Sequence, residues 1–325
     1  MDTVRIGCVK YLNTLPLIEG LGMWRGCELV TSAPSGLIGM LRRGEVDVAL
    51  ASVVDGARGV ADAKQSTTAP TDVVLLPVGM IGCEGRTLTV RVFSRVPIEK
   101  ITRVVVDAES HTSVVLLQVL MCRKFGKRVE VEVGRDHVGR DQGIEGSRHL
   151  GEGGEEAILL IGDKVVTDAP AASEYPHQMD LGAAWKELTG LPFVYAVWMC
   201  RAGEEETLKV RTVAKMLERT RLHNATRMDW VVAEHAAERG WGQELAAEYV
   251  GTLLKYAVGD PEREAVEKFV SWRGRWGCAG GEELFGEKAE EKWQMANSKW
   301  QMKAELGGRG SPCSYLRFTI CTFAI

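Results

Sequence analysis

The 325-residue chain lacks any run long and apolar enough to cross a bilayer. Its longest stretch free of charge or strong polarity, residues 73–83, is about half of the ~20 residues that a span requires. The N-terminus has no basic segment followed by an apolar one, so nothing marks it for secretion and a cytoplasmic location is expected. The eight cysteines (Cys8, Cys27, Cys83, Cys122, Cys200, Cys278, Cys313 and Cys321) show no CxxC or Cys/His spacing, which speaks against a zinc site. In a chain large enough to bury a core without staples they read as reduced thiols. No charge of one sign dominates: 40 basic and 44 acidic residues are interspersed, with a net charge of -4, and leave no electrostatic footprint for nucleic acid. Also missing are GxxxxGK[ST], GxGxxG after a strand, HExxH and GxSxG, the usual signatures of nucleotide, dinucleotide, zinc-protease and serine-hydrolase sites. With 45% apolar and 26% charged residues, the chain fits a globular protein of about two domains. A small ligand is the partner that these absences leave.

What is present is alternation. Apolar runs at 4–9, 28–31 and 46–54 read as strands, and the segments 16–23 and 35–43 as helices, the second ended by Gly44. Strand and helix alternating over some fifty residues imply a parallel sheet, whose ligands bind beyond the carboxyl ends of the strands. A second cycle follows, with strands at 73–81, 87–94, 104–107, 129–133 and 157–161 and a helix at about 112–125. Residues 134–156 hold seven glycines among mostly polar neighbours and read as an exposed loop. Residues 193–200 read as a strand returning the chain to the first lobe. From Glu204 the pattern is helical and is expected to pack on that lobe. Asp260-Pro261 gives a start signal, and Val266, Phe269, Val270 and Arg273 share one helical face. In the tail, KWQM at 292 and again at 299 is too little for a coiled coil.

The polar residues with chemical potential sit where strands end and helices begin. Asn13 and Thr14 follow the first strand and can either cap a helix or leave its amides free for a ligand. Ser110, Thr112 and Ser113 form a second hydroxyl-rich helix start, with more hydroxyls than capping needs. Two such helix ends, one per lobe, would attract a small dianion. Ser52 and Thr89 read as packing hydroxyls or ligand contacts, Asp163 as a cap or a ligand contact, and His111 as a surface residue near the suspected site. Trp185 and Trp198 are assigned to the core.

Several segments together resemble the chorismate dehydratase family of the futalosine route to menaquinone. They are YLNTLPL at 11–17, GEVDVALAS at 44–52, SHTSVVLLQ at 110–118, LLIGD at 159–163 and DLGAAWKELTGLPFVYAVW at 180–198. The resemblance runs over about residues 4–285. It implies an α/β protein of type II periplasmic-binding-protein-like fold, two α/β lobes joined by two crossover strands: lobe I from residues 1–91 and 198–286, lobe II from 92–197, and a C-terminal extension, 287–325, outside the pattern. It also implies loss of water from chorismate, a small dicarboxylate, to give 3-[(1-carboxyvinyl)oxy]benzoate without a cofactor. By position, Asn13 and Thr89 are the implied catalytic residues. Thr14, Ser52, Ser110, His111, Thr112, Ser113 and Asp163, read from their positions above, are the expected substrate contacts. Two positions depart from the pattern: Thr89 stands where serine is usual, and His111 where arginine is usual.

The motif residues include no paired carboxylate and histidine to act as base. The substrate's own enolpyruvyl carboxylate is therefore expected to take the ring proton, with Asp163 as the protein alternative. Two other functions fit the same pattern less well: a non-catalytic binding protein for a dicarboxylate, and the sibling 1,4-dihydroxy-6-naphthoate synthase. YLNTLPL and TGLPFVYAVW favour the dehydratase over the sibling.

Overall fold

The alternating pattern of the first fifty residues folds as a parallel β-α-β core in a computed structural model, which describes residues 3–58, 73–106, 111–134 and 154–274 and the short strand at Leu316–Arg317. Strand β1 (Val4–Cys8) pairs in parallel with β2 (Cys27–Thr31) and β3 (Val48–Ser52). Between them lie a single helical turn, α1 (Leu15–Ile18), and α2 (Pro34–Arg42). Proline at the start of α2 and the buried Leu37, Ile38 and Leu41 explain why that segment is helical; Gly44, at φ +72°, turns the chain away after it. The run 46–54 is not all strand. Ser52 ends β3, and α3 (Val53–Arg58) starts at once, the Asp55 amide donating to Ser52 Oγ at 3.4 Å as an N-cap bond.

Strand β4 (Val73–Cys83) and the return strand β10 (Phe193–Arg201) complete the first sheet, antiparallel to each other, with β10 also antiparallel to β3. Edge strands β11 (Leu254–Lys255) and β12 (Leu316–Arg317) both pair with β4. The second sheet has the order β7 (Glu130–Val133), β6 (Arg103–Val106), β8 (Ala157–Ile161), β5 (Val90–Ser94) and β9 (His177–Asp180). The chain therefore passes between sheets at 84–89 and at 190–192. This moves the expected lobe boundaries: Val90 and Arg91 belong to the second sheet, and the whole of β10 belongs to the first. The cause is that residues 87–89 are an irregular turn rather than strand, with Leu88 in the left-handed region at φ +73°.

Helix α6 (Leu181–Thr189), directly before the second crossing, is capped by Asp180, which accepts from the Ala183 amide at 3.1 Å. The same carboxylate accepts from the amides of Thr87 (3.0 Å) and Leu88 (2.8 Å), so one side chain ties the first crossing to the start of the helix that leads to the second. Gly182 is packed so closely there that a Cβ would meet Gly85 O at 2.5 Å and Cys83 Sγ at 2.6 Å.

The C-terminal block comprises α7 (Leu208–Ala225), α8 (Met228–His235), α9 (Gln243–Glu248), a π-turn (Tyr249–Leu253) and α10 (Asp260–Gly274). Helix α7 packs on β4 and α1, as expected for a block on the first lobe, but α10 bridges. Its Phe269 meets Trp185 of α6 edge-on at 5.8 Å, and Arg123 of α4 (His111–Phe125) lies over the Trp272 ring at 5.0 Å. Trp185 and Trp198 are fully buried. Cys8, Cys27, Cys83 and Cys200 are free, whereas Cys122 on α4 is disulfide-bonded. This corrects the expectation of eight reduced thiols. The glycine-rich stretch 135–153 and the repeated KWQM also lie outside the described residues.

Candidate functional site

Between the sheets, at the carboxyl ends of β1 and β3, opens a cleft of about 100 Å³. Asn13, Ser52, Thr89, His111, Thr112 and Ser113 all line it. Register explains part of this convergence: Ala196 on β10 sits opposite Ser52 on β3, so the return strand carries Tyr195 and Ala196 into the same space. Ser110 lies outside the described residues. Thr14 and Asp163 do not line the cleft.

Neither Asn13 nor Thr14 caps a helix by its side chain. Instead, the Thr14 hydroxyl donates to Asn13 Oδ1 at 3.2 Å, which fixes the amide so that Nδ2 donates to the Tyr249 hydroxyl at 3.2 Å. Tyr249 in turn lies 2.6 Å from Thr89 Oγ1. Asn13 Nδ2 can only donate, so the Tyr249 oxygen accepts and its own proton is available to Thr89. Thr89 can then point its proton into the cleft. Burial pushes the Tyr249 phenol above its ordinary range, which keeps that proton in place. Tyr249 starts the π-turn and stacks on Trp241 with the ring centroids 4.9 Å apart. Sequence reasoning missed it, because a single tyrosine in a helical block carries no local signal.

The backbone of Thr89 is equally fixed. Its carbonyl accepts from the Gly162 amide at 2.9 Å, and Gly162 adopts φ +61° against the Tyr11 ring. Asp163, the next residue, does not line the cleft: its carboxylate accepts from Trp241 Nε1 at 3.0 Å and from the Leu12 amide. Desolvation raises its pKa, but every observed partner is structural, so the expected contact with substrate becomes a brace between β8 and the first lobe.

The other wall comes from the start of α4. Thr112 Oγ1 donates to the Tyr195 carbonyl at 3.3 Å and lies 2.5 Å from Ser52 Oγ, joining the lobes. His111 is partly exposed, and its Nδ1 lies 2.6 Å from Oδ1 of the buried Asp55 on α3. A paired carboxylate and histidine therefore exists at the cleft, contrary to the sequence expectation; Asp55 follows Ser52 by three residues and was overlooked because it lies beyond the motif. Of the two helix ends expected to hold a dianion, only α4 is long enough for an appreciable macrodipole, α1 being one turn. Among the described residues no lysine or arginine lines the cleft. Behind Thr89, Cys83 bonds to Thr87 at 3.0 Å, and burial lifts its thiol to about 11, so it is a protonated packing group. Among the described residues no cluster of His, Cys, Asp and Glu could hold a metal, and no helix could cross a membrane.

A family profile described as menaquinone biosynthesis matches residues 4–274, which covers both lobes and the cleft. The chain belongs to the menaquinone biosynthesis family. Among its relatives a protein of Thermus thermophilus named chorismate dehydratase is 25% identical over 279 residues, 82% of this chain and 93% of that protein. Solved structures similar to this menaquinone biosynthesis protein have the periplasmic-binding-protein fold. The periplasmic aliphatic sulphonate-binding protein of Escherichia coli matches with a TM-score of 0.56 at 13% identity, over 88% of this chain and 95% of that one. A protein of Archaeoglobus fulgidus matches with a TM-score of 0.60 at 15% identity, over 83% of this chain and 96% of that one.

Proposed function

We propose that the chain is a chorismate dehydratase, eliminating water from chorismate to give 3-[(1-carboxyvinyl)oxy]benzoate. The observation that carries this reading is the convergence of Asn13 and Thr89, from segments far apart in sequence, on one Tyr249 hydroxyl at the wall of a cleft between two lobes. The Thermus relative's name supplies the reaction.

The reaction removes a proton from the ring carbon bearing the enolpyruvyl ether and hydroxide from its neighbour, and the ring becomes aromatic. The drive sits in the substrate. Proton removal builds negative charge on the ring carboxylate, conjugated to that carbon. The first amides of α4 and the hydroxyls of Thr112 and Ser113 are placed to stabilise that charge as it develops. Thr89, its proton directed by Tyr249, holds the departing hydroxyl by a hydrogen bond, and Asn13 keeps that pair in register. No metal or redox group is needed for these steps.

Incubation of the full chain with chorismate, followed by mass spectrometry, tests the reading: loss of one water from the substrate supports it. The fold also serves binding proteins such as the sulphonate-binding neighbour, so a non-catalytic dicarboxylate binder is the second reading. Binding of chorismate without turnover would select it. Conversion of the cyclic futalosine substrate instead of chorismate would select the sibling synthase.

A further inference from the structure

We infer that His111, oriented by Asp55, is the general base of this chain, taking the ring proton in place of the substrate's own carboxylate. The inference rests on the dehydratase reading of the cleft. It starts from the carboxylate-imidazole pair that spans the two lobes, His111 at the start of α4 and Asp55 on α3, with Nδ1 and Oδ1 2.6 Å apart. The buried Asp55 carboxylate can only accept, so Nδ1 carries the proton of the neutral ring and Nε2 carries the lone pair. Because the ring lines the cleft, that lone pair is the one available to a ligand.

Two properties argue for a base rather than an anion clamp. First, the negative charge of Asp55 offsets a protonated His111, so the pair is close to neutral as seen by a carboxylate and a weak substitute for arginine. Second, a carboxylate on Nδ1 supports the imidazolium that forms when Nε2 accepts a proton, the arrangement used wherever a histidine must gain and lose a proton within one turnover. Among the described residues, the only other titratable side chains lining the cleft are the phenols of Tyr11, Tyr195 and Tyr249. Burial raises the last two, so neither supplies a phenolate.

The step balances without a co-reactant. Nε2 takes the proton from the carbon bearing the enolpyruvyl ether, the C–H electron pair enters the ring, and the neighbouring C–O bond breaks. The imidazolium returns the same proton to the departing hydroxide, which leaves as water, and His111 is again neutral. In chorismate the departing proton and hydroxyl lie on one face of the ring, so one imidazole can serve both.

The test is steady-state kinetics on chorismate with the wild-type chain and the variants His111→Arg, His111→Gln and Asp55→Asn. Arginine keeps a cation but no usable lone pair. Asparagine is isosteric with Asp55, yet its amide can donate to Nδ1 and so favour the tautomer whose Nε2 is blocked. The expected result is a kcat lowered by ~10²-fold or more in all three with KM changed by less than about threefold, in the range of a lost general base. A His111→Arg chain with wild-type or higher kcat would overturn the inference and leave the dehydratase reading intact. A variant set in which KM alone rises would reassign His111 to anion binding. A wild-type chain that does not dehydrate chorismate would overturn both. Circular dichroism melts of each variant separate loss of the base from loss of fold.

Discussion

Tyr249 shows how a site residue can be invisible in a sequence and central in a fold. It lies 236 positions from Asn13 and 160 from Thr89, yet its hydroxyl meets both. Tyr249→Phe keeps the ring on Trp241 and removes only that oxygen. It is expected to lower kcat by about 10- to 100-fold while costing ~1–3 kcal/mol of stability, because Asn13 and Thr89 lose a buried partner; kinetics paired with thermal melts read both. Asn13→Ala is expected to lower turnover by ~10²-fold or more, the range for one positioned polar group. Asp163→Asn should leave kcat within a few-fold, because its observed partners, Trp241 and the Leu12 amide, belong to the fold and Asp163 does not line the cleft. At this scale the shared cleft of Asn13, Ser52, Thr89, Thr112 and Ser113 was legible, since in such sheets the turns and helix starts beyond the strands gather at one edge. Tyr249, Asp55 and Tyr195 were not, because their partners are chosen by contacts across the fold.

At the scale of elements, the crossing at 84–89 is held from outside itself. Asp180 caps α6 and grips the amides of Thr87 and Leu88, which helps keep Leu88 in a backbone region that costs a side chain on the order of 1–3 kcal/mol. Gly182 lets α6 approach this turn. Gly182→Ala is expected to destabilise by about 1–3 kcal/mol, since the added methyl meets backbone at Gly85 and the Thr87 hydroxyl. A melting temperature lowered by several degrees checks it, at the ~2–4 °C per kcal/mol usual for chains somewhat shorter than this one. The alternation of strands and helices was readable because periodicity and the Pro and Gly stops are local. The ends of β3 and β5 were misjudged where side chains intervene: Ser52 caps a helix inside an apolar run, and Asp180, distant in sequence, turns 87–89 away from strand.

For the whole molecule, the contacts that matter join the lobes: Ser52 with Thr112, Asp55 with His111, and Asp163 with Trp241. A ligand seated among them binds the folded chain alone, so saturation with the proposed product, 3-[(1-carboxyvinyl)oxy]benzoate, is expected to raise stability, by ~2.7 kcal/mol at a hundred times Kd. The two-lobed architecture was legible as two cycles of alternation. That α10 would bridge the lobes was not, because its apolar face does not say which partner it meets. The most direct measurement is the initial rate of chorismate dehydration by the wild-type chain beside Thr89→Val, which keeps the branched shape and removes the hydroxyl. Turnover by the wild type, reduced by ~10²-fold or more in the variant, is the expected result. No turnover by the wild type, or equal rates in the two, would contradict the assignment of this cleft as a dehydratase site.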